Sequence, residues 1–147
     1  MKKKPVDVSL VREEAVAYRH ITDAILPKHA AAVTTKPFLY TDFKKIADKA
    51  PFTLGEWARF LHISERTLHR YAKEASAFHG LQVERILHLK KLIITGQALL
   101  GKQGFAQWLQ QPLFSLQAHR PEEFLLTHEG IQEVTDLLHR MQQGLPA

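Results

Sequence analysis

Apolar residues recur along this chain at steps of three and four, and no segment shows the step of two that marks a half-buried strand. The pattern predicts an all-α fold. Ser9 can cap a first helix carrying Val11, Ala15, Tyr18, Ile21 and Ile25, which Pro27 stops. Residues 28–40 read as a connection. A short helix over 41–50 carries Phe43, Ile46 and Ala47 and ends at Pro51. Two tight helices follow, near 54–61 and 65–75. After Gly80 a longer helix runs to Leu100 on a seam of Val83, Ile86, Leu87, Leu89, Ile93 and Leu99, and Gly101 ends it. A helix near 103–110 carries Phe105, Trp108 and Leu109. Pro112 interrupts, Pro121 opens a short helix, and a last helix covers 129–142. The expected division is an extension over 1–50 serving core or dimer interface, a helix-turn-helix region over 51–100, and a small helical domain over 101–147.

Composition narrows this picture. The 147 residues are 45% hydrophobic and 24% charged, which suits a folded chain. There is no cysteine, so disulfide and thiol chemistry are excluded. The lysines of Met1-Lys2-Lys3-Lys4-Pro5 are followed by no apolar core of a signal peptide, and no stretch reaches a membrane span, so a cytoplasmic protein with no membrane partner is expected. Charge is unevenly spread. Residues 1–50 hold ten Lys/Arg against six Asp/Glu, residues 51–95 seven against four, and residues 96–147 three against five. A basic front suits a polyanion and an acidic end does not, which points to two partners.

The strongest local signal spans Thr53 to Tyr71. Thr53 and Glu56 have the spacing of a capping box. Ala58 permits a close helix crossing, Leu61 and Ile63 bracket a short turn, and Ser64 can cap the next helix. Leu68 and Tyr71 give that helix a buried face. This is the spacing of a helix-turn-helix, whose second helix enters the major groove. Its other face supplies the candidate DNA-binding residues Ser64, Glu65, Arg66, Thr67, His69, Arg70 and Lys73. Arg66 and Arg70 can each offer a planar fork to guanine, Thr67 can meet a thymine methyl, and Glu65 can accept from cytosine N4. Lys73, farther along, suits a phosphate. His62 stands in the turn where such motifs usually have glycine, a position that often needs positive φ. Leu54 stands where a polar, phosphate-gripping residue is common.

Further along come Gly101, Phe105-Ala106-Gln107-Trp108-Leu109, Pro112, Pro121, Phe124-Leu125, Thr127, Gly130, Val134, Leu137-Leu138 and Gly144. This ordered set resembles the toxin-binding domain of the Xre/MbcA/ParS antitoxins, and the block Ser64 to Arg70 followed by Glu84-Arg85-Ile86-Leu87 resembles their helix-turn-helix. The resemblance covers residues 50–147. It departs at Leu100, where the family usually has phenylalanine, at Gln117-Ala118, where it has paired glycines, and at Gln143, where an aromatic or histidine is common. The resemblance implies a type II antitoxin whose partner is a RES-domain, NAD-consuming toxin. The family's C-terminal end helps close the toxin cleft, which makes Arg140, Met141, Gln142, Gln143, Gly144, Leu145, Pro146 and Ala147 the candidate toxin-binding residues. The acidic Glu122, Glu123, Glu129 and Asp136 would face a basic toxin surface. The resemblance further implies a homodimer that binds operator DNA and represses its own operon in a bacterial cytoplasm. The residues themselves also assign Trp108, Phe105, Phe124 and Leu125 to the core, Thr127 to the cap of the last helix, and Gly144 to a chain reversal after it.

No catalytic pattern competes. The nine histidines contain no His-Glu-x-x-His, and their spacings do not stack on one helix face, so they are expected at or near the surface with no metal and no cofactor. No phosphate-cradling glycine loop or nucleophile elbow is present. Glu13-Glu14 and Glu122-Glu123 are neighbours in sequence and diverge on a helix. The expectation is a protein that is not an enzyme. The competing expectation is a stand-alone helix-turn-helix regulator with a helical oligomerisation domain.

Overall fold

A computed structural model describes residues 36–145. The amphipathic segment around Tyr18, Ile21 and Ile25 lies outside the described residues, as do Pro146 and Ala147. Among the described residues the elements are α1 (Tyr40–Ala47), α2 (Leu54–Phe60), α3 (Glu65–Glu74), α4 (Gly80–Leu109), a 3-10 turn (Phe114–Leu116), a second 3-10 segment (Pro121–Leu126) and α5 (His128–Gln142). Among the described residues, two isolated bridges, Leu39 with Ala77 and Leu113 with His119, interrupt an all-α architecture.

The front of this fold is held by aromatic rings. Phe43 of α1 lies 5.1 Å from Trp57 of α2 and 5.2 Å from Phe78. Phe78 in turn meets Tyr71 of α3 at 5.3 Å. The segments flanking this cluster are tied by the main chain, with Tyr40 N donating to Ser76 O at 3.0 Å and Phe78 N to Phe38 O at 2.9 Å. Edge-to-face contacts of this kind add about 0.5–1.5 kcal/mol each to the burial itself.

Helix ends follow their local signals. Thr53 and Glu56 form the expected reciprocal box: Thr53 Oγ1 accepts from Glu56 N at 3.2 Å, and Glu56 Oε2 accepts from Thr53 N at 2.6 Å. Thr127 Oγ1 accepts from Gly130 N at 3.0 Å at the start of α5. The turn between α2 and α3 closes with Ile63 N on Ala58 O and His62 N on Arg59 O. That is a Schellman ending, and it puts His62 at φ 55°, as its glycine-like place in the motif implied.

α4 changes direction at Gly101, whose φ of 76° and ψ of 167° lie where only glycine is comfortable. The turn brings Phe105 back onto Gly96. Ile86, Leu89, Leu92 and Ile93 are buried before the bend, and Phe105, Trp108 and Leu109 after it. They pack with Leu125, Ile131, Val134, Leu137 and Leu138 into one apolar core. Phe124 is half-buried against it. Leu87 corrects the sequence reading: it is 45% exposed and stands off the seam. Its neighbours Ile86 and Leu89 satisfy the buried stripe, and a residue about 100° from Ile86 falls outside it.

Candidate functional site

Ser64 sets the first turn of α3. Its Oγ accepts from Thr67 N at 3.0 Å and pairs with Thr67 Oγ1 at 2.9 Å. Both hydroxyls are thus engaged with each other, and Thr67 is half-buried. Leu68 and Tyr71 turn inward, while Arg66, His69, Arg70 and Lys73 turn outward and line one shallow surface with Thr67 and Glu74. Among the described residues no carboxylate forms a salt bridge with Arg66, Arg70 or Lys73. Arg70 lies over its neighbour's ring, 5.9 Å from the Tyr71 centroid. The structure therefore gathers Arg66, Arg70 and Lys73, with His69, onto one face where none of the three cations has a carboxylate partner among the described residues. Glu65 is not part of it. A Cβ on Gly55 would come within 2.7 Å of Glu65 Oε1, so this carboxylate lies over the first turn of α2. Free N–H groups and the helix dipole favour an anion there.

A polar junction joins this motif to the later residues. Arg85 Nη1 donates to Leu126 O at 2.6 Å and to Phe60 O at 3.2 Å. His62 Nε2 stands 2.9 Å from Leu126 O and 3.0 Å from Arg85 Nη1. With the proton on Nε2, His62 donates to Leu126 O while the two Arg85 hydrogens serve the two carbonyls, and each donor has an acceptor. The turn histidine thus gains a long-range partner that glycine could not supply.

Nearby, Arg59 meets Glu122 at 3.8 Å, and Gln110 Nε2 donates to Glu122. Burial holds the Glu122 carboxyl above the usual carboxylate range, reinforced by the negative charge of Glu56; Arg120 and Arg59 only partly offset this. Glu123 goes the other way, held low by hydrogen bonds from Arg120 and His119. Both acids are thus engaged within the chain. Glu129 and Asp136 are exposed, and Asp136 Oδ1 accepts from Gln132 Nε2 at 2.9 Å. These two line a shallow groove with His128, Gln132, Glu133 and Arg140.

The C-terminal turn is built by Gly144. Leu145 N donates to Arg140 O at 2.9 Å and Gly144 N to Met141 O at 3.0 Å, with Gly144 at φ 75°. This Schellman ending reverses the chain after α5. Met141 packs partly on the core. Arg140, Gln142, Gln143, Gly144 and Leu145 are exposed. Leu145 leaves 51% of its surface uncovered.

Two features escaped the sequence reading. Phe114 is 98% exposed at the tip of the 113–120 loop, and the loop turns on Gln117 at φ 54° and Ala118 at φ 65°. The absence of the paired glycines there was the available signal. The second feature is a meeting of His88 on α4 with His128 at the start of α5, rings 4.7 Å apart, with Glu84 one turn before His88. No local spacing announces a contact across 40 residues.

Comparison with known proteins gives two family matches. Residues 29–89 match the antitoxin Xre-like helix-turn-helix domain. Residues 95–144 match the antitoxin Xre/MbcA/ParS C-terminal toxin-binding domain. An antitoxin Xre from Photorhabdus laumondii subsp. laumondii is 25% identical over 119 residues, covering 80% of each protein. Among solved structures, a chain of the M. tuberculosis MbcT-MbcA toxin-antitoxin complex shares the fold with a TM-score of 0.60. It is 18% identical and matches 74% of this chain and 96% of its own length.

Proposed function

Because the chain belongs to the Xre/MbcA/ParS antitoxins, with the helix-turn-helix and the toxin-binding domain in that order, we propose that it neutralises a RES-domain, NAD-consuming toxin by covering the toxin's cleft with its C-terminal end. The contact residues are Arg140 to Ala147. The observation that carries this reading is the Schellman turn: Gly144 reverses the chain after α5 and leaves Leu145 half uncovered, with its N–H on the carbonyl of Arg140, a residue that lines the acidic groove. A half-exposed leucine on a rigid turn can bury its apolar surface against a partner at little cost in chain entropy. The groove's Glu129, Glu133 and Asp136 complement a cationic nucleotide-binding surface. Phe114 adds a second apolar anchor on the same domain.

The same protein is proposed to repress its own operon as a homodimer in the bacterial cytoplasm. Arg66, Arg70 and Lys73 support this, being cationic, exposed and without carboxylate partners among the described residues. Two such helices one DNA turn apart read a palindrome. Thr67 contributes its methyl group, since its hydroxyl is held by Ser64.

Co-expression with a RES-domain toxin tests the neutralising role. The full chain restores growth, whereas a chain ending at Gln143 and the point variant Leu145→Asp do not, although both fold. Full protection by both variants would remove the C-terminal end from the mechanism.

A further inference from the structure

We propose that Glu84, His88 and His128 form a binding site for a divalent transition metal, zinc in the first instance, that clips the helix-turn-helix part of the chain to its C-terminal domain. One ligand atom from each side chain already lies within 4.8 Å of the others. Ligands around tetrahedral zinc, each at about 2.0–2.1 Å from the metal, stand roughly 3.4 Å apart. Closing that difference takes about an ångström of side-chain movement. Glu84 and His128 are both exposed and free to make it.

Three observations converge. Glu84 and His88 are four residues apart on α4, so they share a face of the helix. His128 comes from the first residue of α5, and its ring tilts at 53° against that of His88 with centroids 4.7 Å apart. Independently, His88 Nδ1 is closed off from solvent with no hydrogen-bond partner among the described residues. A neutral imidazole carries one N–H and one lone pair. A buried ring nitrogen without a donor or acceptor costs about 1–3 kcal/mol. A cation supplies what a bare lone pair lacks.

Two imidazoles and one carboxylate form the donor set of open, three-ligand zinc sites, whose fourth position takes water or another donor. Space for it exists. Glu84 and His128 border a cleft of about 500 Å³, which His62, His79 and Arg85 also line. The Arg85 guanidinium is turned to Phe60 O and Leu126 O. Glu84 and His88 fall within the region matching the helix-turn-helix domain, and His128 within the toxin-binding domain, so the ion would cross-link the two.

The test uses the full, untagged chain stripped of metal by a chelator. Calorimetric titration with zinc chloride should give one tight site per chain, zinc should raise the melting temperature, and cobalt(II) should give the visible absorption of a tetrahedral complex. Removing groups that merely orient a zinc ligand weakens binding about 10- to 100-fold. Glu84→Gln and His128→Gln remove ligands and should lose at least that much, with the melting shift abolished. Both side chains are exposed, so both variants keep the fold. His139→Gln, in the last turn of α5, should bind zinc as the parent does. The proposal is overturned if the parent takes up no zinc. It is equally overturned if the Glu84→Gln/His128→Gln double variant binds zinc as tightly and melts with the same shift.

Discussion

The ring of Phe105 occupies the space where Gly96 would carry a Cβ: that atom would sit 2.2 Å from two ring carbons. The bend at Gly101 folds α4 back on itself, and the missing side chain at Gly96 lets the aromatic ring lie on bare backbone.

Gly96→Ala separates two opposing effects. Helix propensity favours alanine by about 0.8–1.0 kcal/mol. Overpacking a core costs about 1–3 kcal/mol, and an overlap this deep belongs at the upper end. A net loss of stability is expected, read as a lower urea midpoint with an unchanged slope. A higher midpoint would mean that the ring does not rest there.

The 113–120 loop gives the opposite expectation for glycine. Gln117 and Ala118 both hold left-handed backbone. Such residues cost of order 1–3 kcal/mol each, more than the about 0.4–1 kcal/mol that glycine adds in unfolded-chain entropy. Ala118→Gly should therefore stabilise the protein slightly. Ala98→Gly, inside α4, should destabilise it by about 1 kcal/mol. Equal losses at both positions in chemical denaturation would contradict the loop geometry.

Glu122 ties stability to pH. Its carboxyl binds a proton more tightly in the folded chain, because burial and Glu56 disfavour the charge. Its contribution therefore favours the fold below the unfolded carboxylate pKa and is lost as pH rises through the higher folded value. Glu122→Gln should melt with the parent well below the unfolded carboxylate pKa of about 4.3, where both side chains are neutral, and above it at neutral pH. A variant that melts lower at neutral pH would show that the contact with Arg59 outweighs burial.

For the cationic face, Arg66→Ala and Arg70→Ala should each cost about 1–3 kcal/mol in operator affinity if both forks read guanine. Lys73→Ala should instead weaken all sequences alike and reduce the salt slope by about one. Binding measured at two salt concentrations distinguishes these outcomes. An unchanged operator affinity in the Arg66→Ala/Arg70→Ala variant would remove α3 from the DNA interface.

Phe114 is nearly fully exposed, so it contributes little to the chain's own stability. Phe114→Ala should leave the melting temperature unchanged and weaken toxin binding by about 2 kcal/mol, the scale of an interface hot spot. Unchanged affinity would make the exposed ring incidental.

What was legible in the sequence shares one property: its cause lies within a few residues. Thr53 with Glu56, Ser64 with Thr67, and Thr127 with Gly130 are three apart, close enough for a side chain to reach a free N–H. Gly101 and Gly144 announce positive φ because other residues resist it. The helical period located Leu68, Tyr71 and Ile86 in the core, and the outward face of α3 followed from that. The tertiary structure decided what depends on distant segments meeting. It turned Glu65 onto Gly55, gave His62 a carbonyl partner at Leu126, left Leu87 off the seam and set Phe114 in the open. It also brought His88 against His128. Periodicity specifies which face of a helix is buried, but which other helix covers that face depends on how the whole chain closes around its apolar core.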